Sequence, residues 1–369
     1  MYLLGLLVFP LIVGLVAVVL GEGKLTLKEL LVQEAILVLV IGAFYGGSVL
    51  ITHYSVAQDT EIWNGKVASK EETTTGCCHS YPCNPYPCNC NSKGSCSTCW
   101  HTCYRHSRDI KWIADSTNNE RVYSDGCNAP GTPVPERWQQ IVVGEPTSVE
   151  HDYNNYIKAN PQSILRRTGA TQKFGDLIPE YPKVFDYYRA DEFLFMHVAV
   201  LADVKYKANM ALRIVNATLG AKKQLNIIIV VAKTSDLQYA EALRESWLGG
   251  KKNDIVVIIG AQNFPDLSFV SVISWSKSEE MKLAIRDHIM ELKQFDVEKV
   301  LNIVKTEADK KFVRREMKDY EYLMASVEPP VWALILIFVL GLAASIFMTW
   351  YFLNNDPFGA EDSWRKRRR

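Results

Sequence analysis

Nine cysteines crowd one stretch of this 369-residue chain: Cys77, Cys78, Cys83, Cys88, Cys90, Cys96, Cys99, Cys103 and Cys127. At that density, in a segment rich in Pro, Gly, Asn and Ser, covalent or metal cross-links replace a large apolar core. Two chemistries fit. Four disulfides with one thiol left over suit an oxidising compartment. A structural Zn2+ suits the local spacing, because Cys88-Asn-Cys90 followed by Cys96-Ser-Thr-Cys99 offers four thiolates, with His101, Cys103 and His106 near enough to substitute. Thiolates one or two residues apart are hard to bridge to each other and readily share one ion, although the interval between the pairs is shorter than in a zinc finger. A redox role for Cys96-Ser-Thr-Cys99 is disfavoured, since a thioredoxin-like pair opens a helix after a strand.

The compartment that decides between these chemistries is set by three uncharged, apolar segments, at residues 1–21, 35–52 and 329–355. Each reaches or approaches the roughly 20 residues that span a bilayer core. Three spans are expected, at residues 1–21, 30–52 and 329–353. Arg365, Lys366, Arg367, Arg368 and Arg369 follow the third, and juxtamembrane basic residues stay cytoplasmic. Tracing back through three crossings places the tail (354–369) inside, and the N-terminus and residues 53–328 outside. The expected location is a bacterial inner membrane with an extracytoplasmic bulk, where disulfides are favoured over zinc. No Lys or Arg precedes the first apolar run, so it reads as a retained span rather than a cleaved signal. Glu34 lies about one turn from the cytoplasmic boundary and is expected to snorkel. Gly42 with Gly46, and Gly341 with Ser345, make small-xxx-small pairs that let helices approach closely, within one chain or between copies in a homo-oligomer.

Lys+Arg and Asp+Glu both number 41, so the net charge is zero and nucleic acid is disfavoured as a partner. Residues 53–190 read as a Cys-rich, β-containing module, with alternating strand patterns at 60–65, 109–113 and 121–124. Trp63, Trp100, Trp112 and Trp138 form either its modest core or a partner or carbohydrate surface, and core packing is the default. Residues 130–182 are proline-marked and irregular, a strap across the module or toward the next domain.

Residues 191–328 read as an α/β domain. Apolar runs at 193–202, 225–232, 255–261 and 269–275 are strands; 207–219, 237–247, 279–292 and 297–312 carry helical periodicity. The alternation predicts a sheet covered on both faces, and the short Pro-Asp turn between the last two strands predicts a hairpin and so a mixed sheet. The whole is an α+β membrane protein. Ligands of open α/β sheets sit beyond the carboxyl ends of strands, which nominates Asp203, Thr234, Asp236, Asn263 and Asp266. Converging carboxylates there would hold Ca2+; the competing reading is turn and cap chemistry, with Asp236 capping the helix from Leu237. Gly249-Gly250-Lys251-Lys252 lacks P-loop spacing and reads as a turn; Asn216-Ala217-Thr218 is a formal sequon within a helix. No G-x-S-x-G or H-E-x-x-H motif occurs.

Leu225-Asn226-Ile227-Ile228-Ile229-Val230-Val231, Tyr239-Ala240-Glu241-Ala242-Leu243 and Trp247-Leu248-Gly249-Gly250-Lys251-Lys252-Asn253-Asp254-Ile255 with the apolar strand after it resemble the TPM domain family. The resemblance covers about residues 190–295. It implies an α/β/α sandwich, extracytoplasmic and tethered by transmembrane helices, in a family that includes phosphatases, calcium binders and assembly or repair factors. Ile255 stands where the family usually has glycine, and the family's Gly-rich acidic stretch is reduced to Gly260-Ala261-Gln262-Asn263-Phe264-Pro265-Asp266. The whole arrangement, with Thr60-Glu61-Ile62-Trp63-Asn64-Gly65, the Cys/His knot, Gly144-Glu145-Pro146 and Tyr153-Asn154-Asn155-Tyr156-Ile157-Lys158-Ala159, is also similar to uncharacterised membrane proteins of large tailed bacteriophages. The expected function is an envelope binding or assembly protein that needs no catalysis, with an envelope protein and the lipid bilayer as partners. A TPM-type metal-dependent phosphatase is the alternative; a metal sensor built on the Cys/His knot is a third reading.

Overall fold

A computed structural model describes residues 2–20, 27–160, 170–186, 188–355 and 357. Along the chain run α1 (Tyr2–Leu20), α2 (Leu27–Ala57), β1 (Gln58–Gly76), β2 (Ser80–Cys88), β3 (Ser97–Tyr104), β4 (Arg108–Ser116) and β5 (Arg121–Asn128). Then come α3 (Glu136–Gln140), β6 (Pro146–Asn154), α4 (Tyr156–Ala159), α5 (Ala170–Phe174), β7 (Val184–Phe185), β8 (Arg189–Ala190) and β9 (Phe193–Met196). The remainder is α6 (Ala202–Lys223), β10 (Asn226–Ala232), α7 (Gln238–Ser246), β11 (Asp254–Gly260), β12 (Phe269–Ser274), α8 (Glu279–Glu291), α9 (Val297–Lys311) and α10 (Val331–Asn355). These elements form two compact units. One gathers α1, α2, α4 and α10; the other gathers the sheets and the remaining helices. The protein is thus mixed α+β.

In the helical unit, α1, α2 and α10 are long and apolar enough to cross a membrane. The inner faces meet at Leu6, Leu37, Ile41 and Ile337, while most other large apolar side chains of these helices face outward, as lipid-facing positions do. Gly341 and Ser345 pack the chain's own helices. A Cβ on Gly341 would come within 2.9 Å of Ile41, and the Ser345 hydroxyl donates to the Pro10 carbonyl (3.2 Å). Gln33 Nε2 joins the same cluster, donating to Ser345 Oγ (3.2 Å) and Thr349 Oγ1 (3.1 Å). Gly42 and Gly46 differ: a Cβ at either would meet nothing within 4 Å, so this pair packs no helix of the described chain. Glu34 is half-buried against α1. Its Oε1 is shielded, without a hydrogen-bond partner among the described residues, in the space left by Gly14, whose Cβ would lie 3.0 Å from it.

The mixed unit contains two four-stranded sheets. The first has order β5-β4-β1-β6, with β1 antiparallel to β4 from Val67↔Ser116 to Gly76↔Arg108. The expected strands at 60–65, 109–113 and 121–124 lie within β1, β4 and β5. The core here is small: Val67, Ala114, Val122, Ile141, Val149 and Tyr188 are its buried members. A core of that size is what disulfides supplement.

The second sheet has order β12-β11-β10-β9, parallel throughout β9, β10 and β11, with β12 antiparallel to β11. It is mixed, as the hairpin predicts. Ile227, Ile229, Val231, Ile255, Val257 and Ile259 face a core closed by α6, α8 and α9; Ile228, Val230, Ala232, Val256 and Ile258 face Tyr239 and Leu243 of α7 and Trp247 just after it. Both faces are therefore covered, which is why β10 from Ile227 to Ala232 and β11 from Ile255 to Ile259 are continuously apolar rather than alternating. Residues 174–181 extend the second cover. Leu177 and Pro179 carbonyls accept from the Tyr239 hydroxyl (2.8 Å) and the Trp247 indole (2.9 Å). The first strand is shorter than its apolar run: β9 stops at Met196, because His197 turns left-handed (φ 55°) and takes the following apolar residues out of the sheet.

The two sheets are joined by a buried polar seam. Asn64 of β1 donates to Asn226 Oδ1 at the start of β10 (2.7 Å) and accepts from the Ser148 hydroxyl (2.6 Å). Asn253 donates to the Ile62 carbonyl (2.7 Å). Beside them Glu61, fully buried, receives Arg314 (2.6 Å), Lys252 (3.4 Å) and the Trp63 indole (2.8 Å), and Asp59 pairs with Lys251 (2.5 Å). Gly220 of α6 is required by this approach, since a Cβ there would sit 2.5 Å from the Asn64 carbonyl. This polar seam fixes the first sheet, and so the hairpin that grows from it, against the second.

Candidate metal centre and the disulfide hairpin

The first sheet hands over to a separate two-stranded ribbon, β2–β3, through the connections after β1 and before β4. Both connections carry metal-binding side chains. Cys77 and His79 come from the first, His106 from the second, and Asp109 from the start of β4. One ligand atom from each of these four lies within 4.8 Å of the others, so the group is able to hold a metal ion. Asp109 is fully buried and is the hub. Its Oδ1 contacts His106 Nε2, its Oδ2 lies 3.3 Å from His79 Nδ1, and the Cys78 amide donates to Oδ2 (2.7 Å). Burial alone would raise the Asp109 carboxyl; the Cys78 amide and the two imidazoles outweigh it and hold its pKa below the usual carboxylate range.

The remaining cysteines are disulfide-bonded: Cys78–Cys127, Cys83–Cys103, Cys88–Cys99 and Cys90–Cys96, leaving Cys77 as the free thiol. The expected thiolate quartet Cys88, Cys90, Cys96 and Cys99 is thereby consumed in two bridges. Those pairs sit on or beside facing strands of the ribbon, Tyr86↔Cys99 and Cys88↔Ser97, so strand pairing brings cysteines together that sequence proximity keeps apart. Cys103 is likewise bridged, and His101 lies against the Tyr86 ring (4.5 Å) rather than near a ligand set. Of the sequence-nominated substitutes only His106 enters the cluster. His79 and Asp109 were not legible as ligands. The Cys77-x-His79 and His106-x-x-Asp109 intervals are ordinary separately, and the pairing of β1 with β4 (Gly76↔Arg108) and of β2 with β3 (Ser80↔Tyr104) closes them on each other.

Register divides the ribbon into two faces. One carries the bridges together with Tyr81, Tyr86 and His101. The other carries Pro82, Pro85, Pro87, Trp100 and Tyr104, all exposed, with Trp100 at 54% and Tyr104 at 58%. Of the four tryptophans read as core, Trp112 is buried, Trp63 stacks on His151 (3.6 Å), and Trp138 donates to the Ile113 carbonyl (3.2 Å); Trp100 stands apart from all of them. No acidic residue occurs from 73 to 108, whereas Lys93, Arg105 and Arg108 are exposed there. The ribbon is cross-braced by its bridges, carries exposed aromatic rings on both faces and is cationic.

The acids nominated on the α/β side are placed differently. Asp203, in the first turn of α6, pairs with Lys207 (3.6 Å). Asp236 is not the cap of α7, whose N-cap is Leu237 without a side-chain cap bond; one residue earlier, it accepts from the Gln238 amide (2.9 Å) as an Asx turn does, and from Lys173 (2.5 Å), which holds its carboxyl below the usual range. Asn263 lends its carbonyl to the Asp266 amide (2.9 Å), and Asp266 accepts from Gln294 (3.0 Å). Thr234 Oγ1 accepts from the Asp236 amide (3.1 Å). Among the described residues no group of three His, Cys, Asp or Glu contains Asp203, Asp236 or Asp266. Asn216 of the sequon is buried and bonded on both sides of its amide, to Glu192 (2.6 Å) and to the Ile227 amide (3.0 Å). No family model, curated protein or solved structure matches the chain.

Proposed function

We propose that this is a membrane-anchored binding or assembly protein of the bacterial cell envelope, with its disulfide-bonded unit outside the cytoplasmic membrane and its basic tail inside. The observation that carries the reading is the β2–β3 ribbon. Three of its four bridges lie within it, and the exposed Pro82, Pro85, Pro87, Trp100 and Tyr104 face has no partner of its own ribbon. Rigid aromatic side chains on a pre-ordered ribbon lose little entropy on docking, and Trp and Tyr are the residues that dominate protein interfaces. The four bridges support an oxidising location, and the terminal basic run supports the orientation. The TPM resemblance and the likeness to phage membrane proteins agree with an envelope setting. The partner is a protein with an acidic or apolar face, since the ribbon lacks acids.

A photo-crosslinking residue placed at Trp100 or Tyr104 in intact cells is expected to capture one discrete envelope protein. The same residue at Asp203, exposed in the first turn of α6, is expected to capture none. Equal yields from all three positions, or capture of cytosolic proteins alone, would remove the ribbon as the contact surface.

A further inference from the structure

We infer that Cys77, His79, His106 and Asp109 form a closed structural site for a borderline divalent transition ion, with Zn2+ the natural occupant, which clamps the root of the disulfide ribbon. The donor set is one sulfur, two imidazole nitrogens and one carboxylate oxygen. Tetrahedral Zn2+ sites take such sets, at about 2.0–2.3 Å from the metal, which puts the donors themselves about 3.3–3.8 Å apart. Donor atoms within 4.8 Å of one another reach that arrangement by side-chain adjustment alone. Thiolate and carboxylate together balance the 2+ charge, and both imidazoles remain neutral. Ca2+ and Mg2+ are poor fits because only one donor is an oxygen.

Two further features belong to a built site. Asp109 is fully buried and held by the Cys78 amide, the outer-shell bond that fixes a ligating carboxylate. Cys77 is the one cysteine outside the four bridges, so its sulfur is available where the other eight are not. Binding exchanges one proton for the ion: the Cys77 thiol ionises, sulfur bonds the metal, and the proton passes to solvent. Four protein ligands leave no open position for a substrate or water, so the role is structural. Cys77 and His79 precede β2 while His106 and Asp109 follow β3, so one ion ties both ends of the ribbon to the first sheet.

The test uses the full chain in detergent, bridges intact and metal removed by chelation, titrated with Co2+ and then Zn2+. One Co2+ per chain is expected, with a thiolate-to-cobalt charge-transfer band that Zn2+ abolishes and that prior alkylation of Cys77 prevents. Zn2+ is expected to protect Cys77 from maleimide. His79→Ala and His106→Ala should weaken Zn2+ binding by more than the roughly 10–100-fold that an outer-shell change costs, and His101→Ala should not change it. Co2+ binding without a thiolate band, no binding by the wild-type chain, or equal affinity in the His79 and His101 variants would each overturn the site. The wild-type spectrum decides even if a variant fails to fold.

Discussion

Replacing Glu61 with alanine is expected to destabilise the mixed unit by about 3–5 kcal/mol, the usual cost of removing one partner from a buried ion pair. The magnitude follows from what remains. Arg314 and Lys252 approach Glu61 from two different segments, at 2.6 and 3.4 Å, with side chains only 14% and 12% exposed. Without the carboxylate two cations face each other out of water, and the Trp63 indole loses its acceptor. Burial already lowers the Lys252 pKa against the raising effect of Glu61, so the variant should push it lower still. Thermal unfolding of the full chain in detergent should show a midpoint drop on the order of 10 °C. Glu61→Gln, which keeps the shape and some hydrogen bonds, should lose less, and Glu280→Ala, at an exposed pair with Lys311, under about 1 kcal/mol. A Glu61→Ala loss as small as the Glu280 control would mean that the seam does not hold the sheets together.

The second large effect is on pH. Glu192, just before β9, is fully buried; burial first, and the negative charge of Asp254 in addition, raise its pKa to about 8, against the opposing Asn216 bond and Arg213 charge. Its Oε1 has no hydrogen-bond partner among the described residues, as suits a protonated carboxyl. Asp254, at the start of β11, is raised to about 6, again by burial, despite bonds from the Lys251 amide, Asn226 and Tyr181. Both folded values lie above the ordinary 4.5 and 3.8. Between the ordinary and the raised value the folded state holds the extra proton, so unfolding releases it and becomes easier as pH rises. The stability contributed is complete below about pH 4 and is lost through about pH 6 for Asp254 and about pH 8 for Glu192, on the order of 4 kcal/mol for Glu192 alone. Denaturant midpoints at pH 5 and pH 8.5 should therefore differ more for the wild type than for Glu192→Gln, which has no proton to lose. Parallel profiles for the two proteins would show Glu192 to be ionised throughout.

Much of this architecture is legible in the sequence because it is written locally. The three uncharged runs become α1, α2 and α10, and the apolar blocks at 225–232 and 255–261 become the central strands, since length and patterning suffice for each. The cysteine count gives four bridges and a thiol, but not the pairing, which depends on the ribbon register and on a partner as distant as Cys127. What stays hidden is what long separations create. Asn64 meets Asn226 across 162 positions, Glu61 meets Arg314 across 253, and Asp109 reads in isolation as a strand residue. Glu34 is hidden differently: its side chain follows the space beside Gly14, a property of helix packing rather than of depth along one helix.

The proposed placement of the mixed unit on the oxidising side of the membrane is tested most directly by counting thiols. Cells are quenched in acid, free thiols are alkylated, the protein is reduced, and the newly released thiols are tagged and counted by mass. Eight tagged cysteines with Cys77 alkylated at the first step are the expected result. Nine cysteines alkylated before reduction would place the unit in a reducing compartment and contradict that placement.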